Sequence, residues 1–151
     1  MKKKAATLLA QNFANDCIAF RVRALNRVIT NLYDAVLKPF GITVNQTTIL
    51  AMLTLVNEAR PGDIGRKLHM EKSTVSRNLE RMRKNGWIAV AAPDGGSARV
   101  IVVTPAGRKL LADLYPEWER AQALAARLLG DEGVAAVQTL HHAVQRTNRP
   151  M

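Results

Sequence analysis

The spacing of apolar residues changes character at Gly86. Before it they recur every three or four positions. After it come two β-prone runs, residues 87–92 and 98–103, on either side of the compact turn Pro93-Asp94-Gly95-Gly96-Ser97. Thr104-Pro105 then restores the helical pattern, with a hydroxyl for the N-cap and proline for the first helical position. A chain that runs helix, tight turn, helix, hairpin over so few residues has very few ways to bury its apolar stripes.

Upstream, Ile18, Val22, Leu25, Ile29, Leu32 and Val36 predict an amphipathic helix from Asp16 to Phe40. Asn15 or Asp16 would cap it, and Pro39 with Gly41 would stop it. Thr43 caps a second helix running to about Glu58, with Ile49, Leu50, Leu53, Leu55 and Val56 as its apolar positions. Residues 60–68 form a short helix with Pro61 in its first turn, and residues 69–72 are the turn that follows. The next helix begins at Ser73, carries Val75, Leu79 and Met82 on one stripe, and ends at Gly86. Beyond the hairpin, a helix through Leu110, Leu111 and Leu114 meets Pro116, which predicts a kink or boundary. It resumes through Trp118, Leu124 and Leu128, stops at Gly130, and a last helix carries Val134, Val137, Leu140 and Val144. The class is mainly α with a small β-hairpin wing (α+β): a winged helix-turn-helix with helical arms.

Charge singles out the same segment. The formal net charge is +10, and residues 60–109 hold eleven Lys or Arg against four Asp or Glu. Residues 110–151 are slightly acidic, with four against five. A basic block coinciding with a helix-turn-helix points to a polyanion, double-stranded DNA. A solvated basic surface with no partner is the alternative.

At 100° per residue, Ser73, Arg77, Glu80, Arg81 and Lys84 fall opposite the buried stripe, with Thr74 and Ser76 on its flanks. Hydroxyls and free N–H groups at a helix start grip phosphates, and arginine reaches guanine acceptors with two parallel hydrogen bonds. Arg77 is the candidate for base-edge contact, supported by Thr74 and Ser76; Lys72, Arg81 and Lys84 are candidates for phosphate. The competing reading is that Ser73 and Thr74 merely cap the helix while the arginines are solvated. The hairpin tip lacks a cation, which leaves Arg99 as the nearest one for a wing contact.

Four stretches, in order and at matching spacings, carry a resemblance. They are Leu32-Tyr33-Asp34 through Pro39-Phe40-Gly41-Ile42-Thr43 with Gln46; Lys72-Ser73-Thr74-Val75-Ser76-Arg77-Asn78-Leu79; Asn85-Gly86-Trp87-Ile88; and Val103-Thr104-Pro105-Ala106-Gly107-Arg108. Over nearly its whole length the chain resembles the MarR family of bacterial transcription regulators. The resemblance implies one domain over 1–151, with residues 1–42 and 110–151 as a helical dimerisation region and 43–109 as the DNA-binding lobe. It implies a homodimer on a pseudo-palindromic operator, acting as a repressor and relieved by a small phenolic or aromatic acid held between the dimerisation helices and the lobe. The sequence departs from the family at the wing, where an Asp-x-Arg type tip is expected.

Other chemistry is sparse. Cys17, the only cysteine, excludes an intrachain disulfide framework and is the one redox candidate, with Arg21 and Arg23 on the following turn; a plain buried thiol is the alternative. His141 and His142 are adjacent, about 100° apart around a helix, and do not form an i, i+4 chelating pair. No metal site and no cofactor are expected. The chain has no phosphate-binding glycine loop, Gly-x-Ser-x-Gly elbow or metalloprotease motif, so it is not expected to be an enzyme. No apolar run is long enough for a membrane span, and residues 1–10 are too short in apolar length for a signal peptide, which predicts a cytoplasmic protein. The runner-up functions are a constitutive architectural DNA binder, a regulator that senses redox state through Cys17, and a protein-interaction module using the helical arms.

Overall fold

A computed structural model describes residues 2–92 and 99–147. The helices are α1 (Lys2–Asp16), α2 (Ile18–Leu37), α3 (Val44–Val56), α4 (Pro61–Leu68), α5 (Lys72–Lys84) and α6 (Pro105–Thr147), with a 3-10 turn at Lys38–Phe40. Three short strands, β1 (Glu58–Ala59), β2 (Ile88–Ala91) and β3 (Val100–Val103), form an antiparallel sheet in the order β1-β3-β2.

The first helix is not capped where the sequence suggested. Residues 2–16 contain neither glycine nor proline and are themselves helical, so α1 absorbs Asn15 and Asp16. The break falls at Cys17, whose extended backbone (ψ 112°) starts α2 without a side-chain cap. Its far end behaves as predicted: Pro39 sits in the 3-10 turn, and Gly41 (φ 66°) donates its N–H to the Lys38 carbonyl at 3.0 Å.

Thr43 caps α3 reciprocally with Gln46. The Thr43 hydroxyl accepts the Gln46 N–H at 3.3 Å, and Gln46 Oε1 accepts the Thr43 N–H at 3.2 Å. The helix stops at Val56 because Asn57 turns to positive φ (67°). Residues 58 and 59, expected at the helix end or in a loop, pair instead with Val102 and Ile101.

Helix α3 is the centre of the lobe, with Ile49, Leu50 and Leu53 fully buried. Leu37, Ile42, Ile64, Val75, Met82, Ile88, Ile101 and Val103 close around it in one cluster. Its two buried polar residues are satisfied: Gln46 by the cap, and Thr47 by donating to the Thr43 carbonyl at 3.0 Å. A second, smaller cluster forms where Tyr33 of α2 meets Ala121 and Ala125 of α6. Those alanines lie one turn apart and leave room for the ring, whose hydroxyl donates to Gln122 Oε1.

Pro116 does not break α6. The one non-helical residue inside it is Gly130 (φ 66°, ψ 171°), where the sequence placed a stop. Ala112 and Pro116 are both exposed, so the Ala112 carbonyl that proline leaves without an N–H partner faces water. Much apolar surface on the arms is uncovered in the single chain: Phe13, Ile18 and Phe20 on α1 and α2, and Leu128, Leu140 and Val144 on α6 are all more than half exposed.

Candidate nucleic-acid interface

The short helix α4 begins with Pro61 and ends at His69, which adopts φ 53° so that the chain can reverse. Gly65 permits this turn: the Met70 N–H donates to the Gly65 carbonyl at 2.9 Å, and a Cβ on Gly65 would lie 3.1 Å from the Met70 oxygen. Helix α5 follows at once. It starts one residue earlier than predicted, at Lys72, with Glu71 as N-cap and the Glu71 carbonyl accepting from Thr74 and Val75 at 2.9 and 3.0 Å. Ser73 therefore does not cap the helix; it lies exposed within the first turn.

Val75, Leu79 and Met82 seat α5 on the core as the spacing predicted. Ser73, Ser76, Arg77, Arg81 and Lys84 are exposed, Lys72 is exposed at the first position, and Thr74 is half-buried. The structure thus brings seven of the eight predicted contact residues onto one helix. Arg77 Nε donates to the Ser73 carbonyl at 3.3 Å, which steadies the guanidinium along the outward face. Asn78, half-buried, donates to the Thr74 carbonyl at 2.9 Å. Lys84 Nζ pairs with Glu80 at 3.0 Å. That hydrogen bond, and then the charge of Lys84, holds the Glu80 carboxyl below the usual carboxylate range.

The eighth residue, Arg99, is exposed at the foot of the wing, just before β3. The tip turn at residues 93–97 lies outside the described residues. The wing is fastened to α5 at its base. Gly86 (φ 74°) turns the chain out of the helix, the Trp87 N–H returns to the Met82 carbonyl at 3.0 Å, and the Thr104 hydroxyl donates to the Gly86 carbonyl at 2.6 Å. The Thr104 hydroxyl oxygen in turn accepts the Gly107 N–H at 3.1 Å, so Thr104 caps α6 while it holds the wing.

Sequence reasoning missed three features of this surface. Arg83 is exposed, and it borders a small cleft of about 160 Å³ between α5 and the wing, lined also by Leu79, Ile88, Val90 and Ile101. A larger cleft of about 430 Å³ lies between α4 and α5, bordered by Pro61, Arg66, Met70, Lys72 and Ser76. Arg66 is engaged there by Asp63. The spacing of Glu80 and Lys84, i and i+4, could have revealed the third feature, their pair.

Cys17 is not part of this surface. It stands half-buried at the α1–α2 junction, and its carbonyl accepts the Arg21 N–H at 3.1 Å. The Arg21 guanidinium turns to the Asn15 carbonyl and to Asp16 rather than to the sulfur. His141 and His142 have ring centroids 6.1 Å apart and tilted rings. Among the described residues no group of three His, Cys, Asp or Glu is placed to hold a metal ion, and no single helix is long and apolar enough to cross a membrane.

Comparison with known proteins places these observations. Residues 40–99 match the model of the MarR family. The whole fold is similar to that of the M. tuberculosis transcriptional regulator MosR, with 27% identity and a TM-score of 0.74 over 88% of this chain and 98% of that one. A mutant of E. coli MarR complexed with operator DNA superposes with a TM-score of 0.75 at 17% identity, over 88% of this chain and 96% of that one. Bordetella bronchiseptica BpsR, whose DNA binding is regulated by 6-hydroxynicotinic acid, gives 0.76 at 17% identity over 89% and 96%. With the family's sequence pattern in residues 40–99 and a similar fold over most of its length, the chain resembles the MarR family of winged helix-turn-helix transcription regulators.

Proposed function

We propose that the protein is a homodimeric repressor that binds a pseudo-palindromic operator in double-stranded DNA and is released by a small aromatic or phenolic acid. The observation that carries this reading is the division of α5. Val75, Leu79 and Met82 fix the helix to the core, and every predicted contact residue along its outer side except Thr74 is exposed. In this reading Arg77 meets base edges in the major groove, with Thr74 and Ser76 beside it. Ser73, Lys72, Arg81 and Lys84 meet phosphates, and Arg99 meets the backbone from the wing.

The dimer reading is supported by the uncovered apolar surface of Phe13, Ile18 and Phe20 at one end of the chain and Leu128, Leu140 and Val144 at the other. A second copy is the natural cover, since a two-fold pair of lobes matches two half-sites one helical turn apart. Residues 1–42 and 110–151 then form the dimer body and 43–109 the reading lobe. The E. coli MarR mutant held with operator DNA and the BpsR protein regulated by 6-hydroxynicotinic acid support the DNA and the effector respectively. An effector that altered how the body holds the two lobes would change the spacing of the two α5 helices, so that they no longer fit successive grooves. A DNA-binding role with no catalytic step, in the cytoplasm, completes the proposal.

Selection from a pool of randomised duplexes tests it. The wild-type chain recovers a two-fold-related sequence, and Arg77→Ala loses preference at one base position per half-site. Recovery of no preferred sequence would sink the regulator reading in favour of an architectural one.

A further inference from the structure

Helix α5 carries one acidic side chain, Glu80, and it stands on the exposed side. At 100° per residue it falls between Ser73 and Ser76, well away from the stripe of Val75, Leu79 and Met82. Burial does not call for it there. It stands at the rim of the cleft between α5 and the wing, it lies too far along the helix to serve the N-terminus, and its partner, Lys84, is itself 67% exposed while Glu80 is 58% exposed. Exposed pairs of this kind contribute little to stability, so Lys84 can leave Glu80 for a phosphate at small cost. The carboxylate then remains, charged, on a face otherwise made of hydroxyls and cations.

Such a group is repelled by backbone phosphate in every register. In the major groove the donors open to it are the amino groups of cytosine and adenine; adenine sets its amino group beside the N7 acceptor, which repels a carboxylate, so cytosine is the natural partner. We propose that Glu80 is a specificity-determining residue of the DNA interface, penalising docking on arbitrary sequence and compensated only where a cytosine amino group meets it. The proposal rests on α5 being the helix that enters the groove.

The test compares the full-length wild-type chain with Glu80→Gln and Glu80→Ala on two fluorescent duplexes, one of mixed sequence and one recovered by wild-type selection. Removing the charge should raise affinity for the mixed duplex on the order of three- to tenfold. The salt dependence of binding should steepen by about one released ion per subunit. The ratio between the two duplexes should narrow, and selection with Glu80→Gln should relax one position at which the wild type takes cytosine. Unchanged mixed-duplex affinity, an equal gain on both duplexes, or unaltered base preferences would each overturn the role of Glu80. If the wild type bound neither duplex, the reading of α5 itself would fall; if it bound both and the variants matched it, only the role of Glu80 would.

Discussion

Asp34 Oδ1 accepts the backbone N–H of Val44 at 2.7 Å, so the last turn of α2 caps the first residue of α3. The neighbouring Tyr33 donates to Gln122 on α6. Two consecutive residues of α2 thereby tie it to α3 and to α6. Asp34→Ala leaves the Val44 N–H without its acceptor and removes a negative charge from a helix start, at a cost of about 1–2 kcal/mol. Urea denaturation should show that loss, with most of it restored in Asp34→Asn.

Tyr33 adds a pH dependence. Burial pushes its phenol above the ordinary value of 10.0, so the native state favours the neutral form. The stability this group contributes is intact below pH 10 and is lost as pH rises through the raised native value. Tyr33→Phe should be less stable by about 1 kcal/mol at neutral pH, from the lost hydrogen bond. Above pH 10 its stability should fall less steeply than that of the wild type. Parallel curves would show that Tyr33 ionises as freely as in the unfolded chain.

Gly107 has a steric reason to lack a side chain. A Cβ there would overlap the Trp87 carbonyl oxygen and press against Val103 Cγ1 at 2.9 Å. The carbonyl is held by the Thr104 N–H at 3.0 Å and cannot swing clear. Gly107→Ala should lower stability by about 1–3 kcal/mol through overpacking, read as a drop in melting temperature. An alanine variant as stable as the wild type would mean that α6 can slide away from the wing.

The arms give a prediction about assembly. Ile18 is 78% exposed and Leu140 62% exposed in the single chain. Covering such side chains contributes about 1.5–3 kcal/mol each. In sedimentation equilibrium the wild type should behave as a dimer at micromolar concentration, and the double variant Ile18→Asp with Leu140→Asp as a monomer. A monomeric wild type would remove the two-fold operator from the proposal.

Local chemistry made much of this fold legible. The stripe of Val75, Leu79 and Met82, the Thr43 cap, the turn at Gly86 and the Thr104-Pro105 start are each set by residues within a few positions, and each stands where the spacing put it. What escaped depends on distant partners. A strand as short as Glu58–Ala59 has no periodicity of its own and exists because β3 offers a free edge. The apolar residues of α1 face solvent in the single chain, so no burial pattern marked that helix. On the outer side of α5, sequence spacing identified the exposed residues. The Arg77–Ser73 bond became visible only with coordinates, because it depends on which way a long side chain turns.

The tie between Thr104 and Gly86 joins the two ends of the wing at its base. The Met82 carbonyl accepts the Trp87 N–H, and the Thr104 hydroxyl holds Gly86 while it accepts the Gly107 N–H, so the exit of α5 and the entry of α6 share one joint. A force on either strand, β2 or β3, reaches both helices at that joint, and the two cannot be displaced separately without opening it.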